Sequence, residues 1–153
     1  MANTYSSMIA QTVFAVKYRN ALIHQDWKEE LFAVIGNLIN ETDCKTLIVN
    51  GVSDHVHCLF GFKAKHSISN VMKSVKSKSS KWLNESTYLK SRFEWQDGFG
   101  SFSYSYGQID QVYNYIKNQE AHHKHVPFLE EYETLLNKYK VDYDERYIFK
   151  EPE

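Results

Sequence analysis

DHVHCLFGF, residues 54–62, places two histidines, His55 and His57, in an otherwise apolar and aromatic run. Read as a β-strand, such a run sends successive side chains to opposite faces. His55, His57 and Leu59 then share one face, while Val56, Cys58 and Phe60 share the other. The second set makes an ordinary core face. The first carries two imidazoles whose Cα atoms lie roughly 6–7 Å apart, twice the strand rise. That spacing lets both rings reach one ion, with Cys58 pointing away from it. A hydrogen-bonded structural pair fits the same two residues, because a buried imidazole needs a partner at each ring nitrogen. Two histidines do not complete a metal site, so a further ligand has to come from elsewhere in the chain.

The elements around this strand read in both directions from it. KTLIVNG, residues 45–51, is a strand joined to the histidine strand by a tight connection at Gly51 and Ser53. IAQTVFAVKY (9–18) is β-branched and aromatic and reads as the first strand, and GFGSFSYSYG (98–107) as the fourth. In WKEELFAVIGNLINE, the residues Leu31, Val34, Ile35, Leu38 and Ile39 recur at helical spacing, with Asp26 placed to cap. The run ISNVMKSVKSKSSKWLNE, beginning at Ile68, aligns Val71, Met72, Val75 and Leu83 on one stripe and predicts a second helix. QIDQVYNYIKNQEAHH (108–123) is a third, and Pro127 opens a fourth, FLEEYETLLNKYK. The aromatic tail VDYDERYIF is expected to pack back onto the body. The order β-α-β-β-α-β-α-α begins with the six elements of the split β-α-β, or ferredoxin-like, arrangement. The expected fold class is therefore α+β, an antiparallel sheet with helices packed on one face. The whole of 1–153 reads as a single domain, with the third helix at about 108–123 and a C-terminal helix and tail at about 127–150.

Bulk composition narrows the function classes. Hydrophobic content of 42% with 24% charged residues excludes a disordered chain. Net charge is −1, yet residues 61–92 hold eight Lys/Arg against Glu85 alone, so that segment is +7 and the remainder −8. A basic segment on a near-neutral protein suits local contact with a polyanion, and a solvated helix face suits it as well. Its helical lysines, Lys73, Lys76, Lys78 and Lys81, are the candidate contacts to such a polyanion. Cys44 and Cys58 show neither metal nor disulfide spacing, which fits a reducing compartment. With no signal peptide in MANTYSSMIAQTVFAVKY and no apolar run of transmembrane length, a soluble cytoplasmic protein with no membrane partner is expected.

The second informative run is YNYIKNQEAHH, residues 113–123. On a helix, Tyr115 and Gln119 share a face, whereas Tyr113 points about 160° away from Tyr115. A phenol and an amide on one face fit either surface chemistry or a nucleophile and a ligand brought to the same ion. HHKH (122–125) falls at the predicted helix end, where cationic groups favour the dipole. It reads as a solvated end rather than as a zinc site.

Together these runs resemble a known family. DHVHCLFGF is similar to the HUH motif, histidine–hydrophobic–histidine on a strand, and YIKNQEAHH to the tyrosine helix of the single-tyrosine HUH transposases. These are the small transposases of insertion sequences of the IS-two-hundred and IS-six-oh-five type. SSKWLNE (79–85), FEWQDGFGSFSYSYGQID (93–110) and YDERYIF (143–149) also look like that family, so the resemblance covers nearly the whole chain. It implies the HUH variant of the ferredoxin-like sheet and a homodimer in which the tyrosine helix of one protomer can dock at the histidines of the other. It implies a substrate of single-stranded DNA with hairpins near the element ends, for which Lys73, Lys76, Lys78 and Lys81 become the DNA-binding candidates. By position it implies Tyr115 as catalytic nucleophile, and His55, His57 and Gln119 as ligands of a divalent metal, Mg²⁺ or Mn²⁺, with no nucleotide cofactor. The expected activity is cleavage and rejoining of single strands through a 5′-phosphotyrosine intermediate. The competing readings are another HUH endonuclease (a replication initiator or relaxase), a domesticated hairpin-binding protein, and a structural metal-binding domain.

Overall fold

The computed structural model describes residues 4–153; the first three residues of the expected 1–153 span lie outside the described residues. Four strands, β1 (Met8–Ala15), β2 (Lys45–Val52), β3 (His55–Phe62) and β4 (Gly100–Tyr104), form one sheet in the order β2-β3-β1-β4. Every pairing is antiparallel. With α1 (Lys28–Glu41) between β1 and β2, and α2 (Ile68–Glu85) between β3 and β4, this is the expected ferredoxin-like α+β arrangement.

The registers divide the sheet into two faces. Gln11 opposes Leu59, Val13 opposes His57 and Ala15 opposes His55, so β1 and β3 present these residues together. Thr12 opposes Cys58 and Phe14 opposes Val56 on the other side. That second face is apolar and is covered by α1, whose Gly36 lies against Val49, and by α2 packed beside α1. The expected layer of helices on one face describes this half of the molecule.

The histidine face is covered too, by three further helices: α3 (Ile109–Lys117), α4 (Gln119–His122) and α5 (Phe128–Lys138). Val112 and Ile116 of α3 pack on Ile9 and Leu59. Phe128 of α5 stacks on the His55 ring at 4.0 Å, and Tyr132 sits over β4. Gly100 makes that approach possible, because a Cβ there would lie 2.6 Å from the Tyr132 hydroxyl. The aromatic tail packs back as expected: Phe149 is buried against Tyr132 and Phe128.

Two expected features differ. Asp26 does not cap α1; the N-cap is Trp27, without a side-chain bond, and the Asp26 carboxylate pairs with His24 instead. The third helix is not continuous over 108–123, since α3 stops at Lys117 and α4 restarts at Gln119. Asn50 of β2 supplies a physical reason. Its amide donates to the carbonyls of Ile116 (2.9 Å) and Lys117 (3.1 Å), taking acceptors that the next helical turn would use.

Candidate active site

The β2–β3 hairpin fixes the histidines. Residues 53 and 54 make its two-residue turn, and Gly51 passes so close to β3 that a Cβ would lie 2.2 Å from the His55 carbonyl oxygen. Both rings are fully buried. His55 Nδ1 lies 2.8 Å from Asp54 Oδ1, and His57 Nδ1 lies 2.8 Å from Gln11 Oε1. The Gln11 amide donates to the Tyr104 hydroxyl, which fixes its oxygen toward His57. Both imidazoles therefore present Nε2 inward, the arrangement by which outer partners orient metal-binding histidines.

Tyr115 and Gln119 reach the same place despite the helix break. The Tyr115 ring lies 6.0 Å from His57, and Gln119 Oε1 lies 3.1 Å from His55 Nε2. Tyr113 faces solvent, as the helical geometry requires. The four residues expected from sequence are thus brought together within one chain, with Tyr115 beside its own histidines.

Three groups at the site were not foreseen: Glu131, His123 and His122, the last with its Nε2 3.3 Å from Glu131 Oε2 and its ring 5.4 Å from Tyr115. Glu131 of α5 is 3% exposed and stands at the centre. Its Oε1 lies 3.0 Å from His57 Nε2, 3.1 Å from His123 Nε2 and 3.4 Å from His55 Nε2. Its Oε2 accepts from the Tyr115 hydroxyl and from the Gln119 amide at 3.1 Å. His123, read from sequence as part of a solvated helix end, is turned inward instead, because its bond to Glu131 and its edge contact with His55 draw it under α5. A sequence signal for Glu131 exists: it falls on the apolar stripe Phe128, Tyr132, Leu135, where a carboxylate needs partners. For His123 no comparable signal distinguishes it from its neighbours.

Electrostatics follow from burial and from this carboxylate. Burial pushes His57 down to about 4, so its ring is neutral near pH 7. Burial opposes charge on His55 as well, but Asp54 and Glu131 outweigh it and raise that histidine. Burial also disfavours ionised Glu131, yet the bonds to His123, His55 and His57 hold it well below the ordinary carboxylate range. The Tyr115 phenol is raised, first by burial and then by the Glu131 charge, and stays protonated unless a cation is near. One ligand atom each from His55, His57, His123 and Glu131 falls within 4.8 Å of the others. The donor set, imidazole nitrogens with carboxylate and amide oxygens, fits a divalent ion.

The candidate lysines are elsewhere. They ride on α2, beneath the opposite face of the sheet. Lys73, Lys78 and Lys81 are exposed, but Lys76 donates to the carbonyls of Gln96 (2.8 Å) and Gly98 (2.6 Å). An open cavity of about 370 Å³ adjoins Tyr115, lined by Gln11, Tyr104, Gln111, Lys138 and Tyr139 among others.

Comparison with known proteins decides the family. The model of the family described as "Transposase IS200 like" matches residues 4–119, which contain the histidine strand, Tyr115 and Gln119. The chain belongs to the IS200-like transposase family. Among solved structures, a candidate transposase from Deinococcus radiodurans R1 shares the fold with a TM-score of 0.62 at 19% identity, over 78% of this chain and 95% of that one. A REP-associated tyrosine transposase bound to a REP hairpin aligns with a TM-score of 0.60 at 14% identity, over 82% of this chain and 74% of that one. No curated protein sequence matches. As an IS200-like transposase the chain belongs among DNA-cleaving enzymes of transposition. No helix among the described residues is long and apolar enough to cross a membrane. Cys44 and Cys58 are both free and buried.

Proposed function

We propose that this transposase, acting as one HUH domain and as a homodimer in the cytoplasm, cleaves and rejoins single-stranded DNA at hairpin-bearing element ends. Tyr115 is the nucleophile, and His55, His57 and Gln119 hold a divalent ion, Mg²⁺ or Mn²⁺. The observation that carries the reading is convergence: phenol, amide and both imidazole Nε2 atoms meet at one buried point that opens to a cavity beside Tyr115. The hairpin-bound relative supports the substrate class.

The scissile phosphate enters beside Tyr115. The Tyr115 oxygen forms a bond to phosphorus and the phosphorus–O3′ bond breaks, leaving a 5′-phosphotyrosine and a 3′-hydroxyl. The phenol gives up one proton and the departing oxygen takes up one, so the step consumes none. A bound divalent ion would polarise the phosphate, counter charge on the leaving oxygen and lower the raised phenol of Tyr115. Glu131 orients the phenol by accepting its hydrogen bond. The aromatic cover of Phe128 over His55 keeps water from the ring. Because the tyrosine link retains the phosphodiester energy, a second 3′-hydroxyl can attack it and rejoin strands without a nucleotide. Lys73, Lys78 and Lys81 contact phosphates of a more distant part of the DNA, whereas Lys76 has its ammonium committed to the 96–98 loop.

The test is incubation of the protein with hairpin oligonucleotides from the DNA flanking its gene, with Mg²⁺ or Mn²⁺ and then with EDTA, on a denaturing gel. Metal-dependent cleavage of single-stranded but not duplex substrate supports the reading. Tight hairpin binding without cleavage contradicts it and leaves a binding protein.

A further inference from the structure

Glu131 and His123 are absent from the histidine–tyrosine–glutamine set, yet they complete its geometry. His55 and His57 each have Nδ1 committed outward, to Asp54 and to Gln11 Oε1. Each ring thus lies between acceptor oxygens at both nitrogens. A neutral imidazole with its proton on Nδ1 turns the Nε2 lone pair toward an oxygen that can only accept, so a second proton, as on the raised His55, or a bound cation has to stand between them. His57 Nε2 meets Glu131 Oε1 at 3.0 Å, and His55 Nε2 meets Gln119 Oε1 at 3.1 Å and Glu131 Oε1 at 3.4 Å. His123 Nε2 adds a third nitrogen at 3.1 Å from the same carboxylate oxygen. Lone pairs crowded against a buried carboxylate repel unless positive charge lies among them. Atoms bound side by side to one ion at about 2.0–2.1 Å are themselves roughly 3 Å apart, which is the spacing around Glu131 Oε1.

We infer that Glu131 from α5 and His123 from the turn after α4 are metal ligands, giving a centre of three imidazoles and one carboxylate that takes a transition ion of the Mn²⁺ to Zn²⁺ series in preference to Mg²⁺. The inference rests on the reading of this face as the metal-dependent site and specifies its ligands and ion. Imidazole-rich sets suit transition ions better, whereas Mg²⁺ favours oxygen ligands and retains several waters. Gln119 Oε1 stands beside His55 as a fifth donor. One carboxylate then has two duties: Oε1 binds the ion, and Oε2 holds the Tyr115 hydroxyl beside it. The C-terminal helix α5, which lies beyond residues 4–119 matched by the family model, becomes part of the metal centre.

The test uses the full-length, metal-stripped protein without DNA and Zn²⁺ as probe. Ring nitrogens of ¹⁵N-histidine-labelled protein are followed through their carbon-bound protons. Three Nε2 signals, those of His55, His57 and His123, are expected to move together and saturate at one Zn²⁺ per chain, with a hundredfold excess of Mg²⁺ leaving them in place. Movement of His55 and His57 alone, or displacement by Mg²⁺, overturns the inference. Glu131→Gln, with its fold checked by circular dichroism, is expected to weaken Zn²⁺ binding at least tenfold, and unchanged affinity would count against it. The wild-type spectrum decides the matter even if that variant does not fold. Because no DNA is present, a protein that binds metal this way yet forms no tyrosine adduct defeats the proposed reaction and leaves the ligand assignment standing.

Discussion

Two neighbouring residues of one strand, His57 and Cys58, are both fully buried, and burial acts on them in opposite directions. The imidazole is pushed down to about 4 and the thiol up to about 12, because in each case the interior disfavours the charged form. The faces they belong to differ in the same way. The Cys58 face meets α1 and α2 with apolar side chains and holds the fold together. The His57 face meets α3, α4 and α5 with imidazoles, amides, a phenol and a carboxylate. A single β-strand thus supplies core on one side and chemistry on the other, and the two should be separable by mutation.

The largest separation is expected at Tyr115 and Phe60. Tyr115→Phe should lower strand cleavage by about 10⁴-fold or more while costing only about 1–3 kcal/mol of unfolding free energy, for the lost hydrogen bond to Glu131. Phe60→Ala should do the reverse, costing about 3–5 kcal/mol in denaturant unfolding, with metal binding retained in the folded fraction. A Tyr115→Phe protein that unfolds, or a Phe60→Ala protein that folds as well as the parent, would break the comparison.

Linkage sharpens it. The folded pKa of His57 lies below its ordinary 6.5, so His57 contributes a loss of stability to the metal-free protein as pH falls from about 6.5 toward 4, where the unfolded chain takes up the proton first, against the opposite contribution of the raised His55. Cys58 lies above its ordinary 9.0, so stability should fall as pH rises from about 9 toward 12, where the unfolded chain loses the proton first. Each limb is expected to amount to a few kcal/mol at most. His57→Gln should flatten the acid limb and Cys58→Ala the alkaline one, measured by urea unfolding across pH.

Gly51→Ala should cost about 1–3 kcal/mol, because the new methyl meets the His55 carbonyl. It should also displace the histidines, so metal affinity and stability fall together, unlike at Tyr115. The smallest effect belongs to the outer surface of the core half. Replacing Lys73, Lys78 and Lys81 with alanine should leave stability within about 0.5 kcal/mol and make the salt dependence of single-strand binding shallower, by about 0.7 per lost phosphate contact. An unchanged slope removes these lysines from the interface.

The half of the molecule built from local pattern was legible in the sequence. The alternation along 54–62 put His55 and His57 on one face and Val56 and Cys58 on the other, and the registers agree. The spacing of Tyr115 and Gln119 indicated a shared face, which survives the helix break at Asn118. What escaped depends on distant parts of the chain. Asn50 ends α3 from another strand, and neither run announces it. Glu131 falls on the apolar stripe of its helix, which marks it as turned inward, but nothing local shows that its partners are the histidines of β3. The second helical layer could not be read from the six-element order, since that order is complete without it. It forms because a face bearing two buried imidazoles needs polar partners, and α4 and α5 bring them.

The central claim is that Tyr115 becomes covalently joined to DNA at the histidine face. The most direct measurement is peptide mass mapping of the protein after reaction with a single-stranded hairpin oligonucleotide in the presence of Mn²⁺. The account predicts a nucleotide-bearing peptide containing Tyr115, lost with EDTA and in Tyr115→Phe. An adduct on a different residue, such as Tyr113 or Tyr104, or cleavage with no adduct at all, would contradict it.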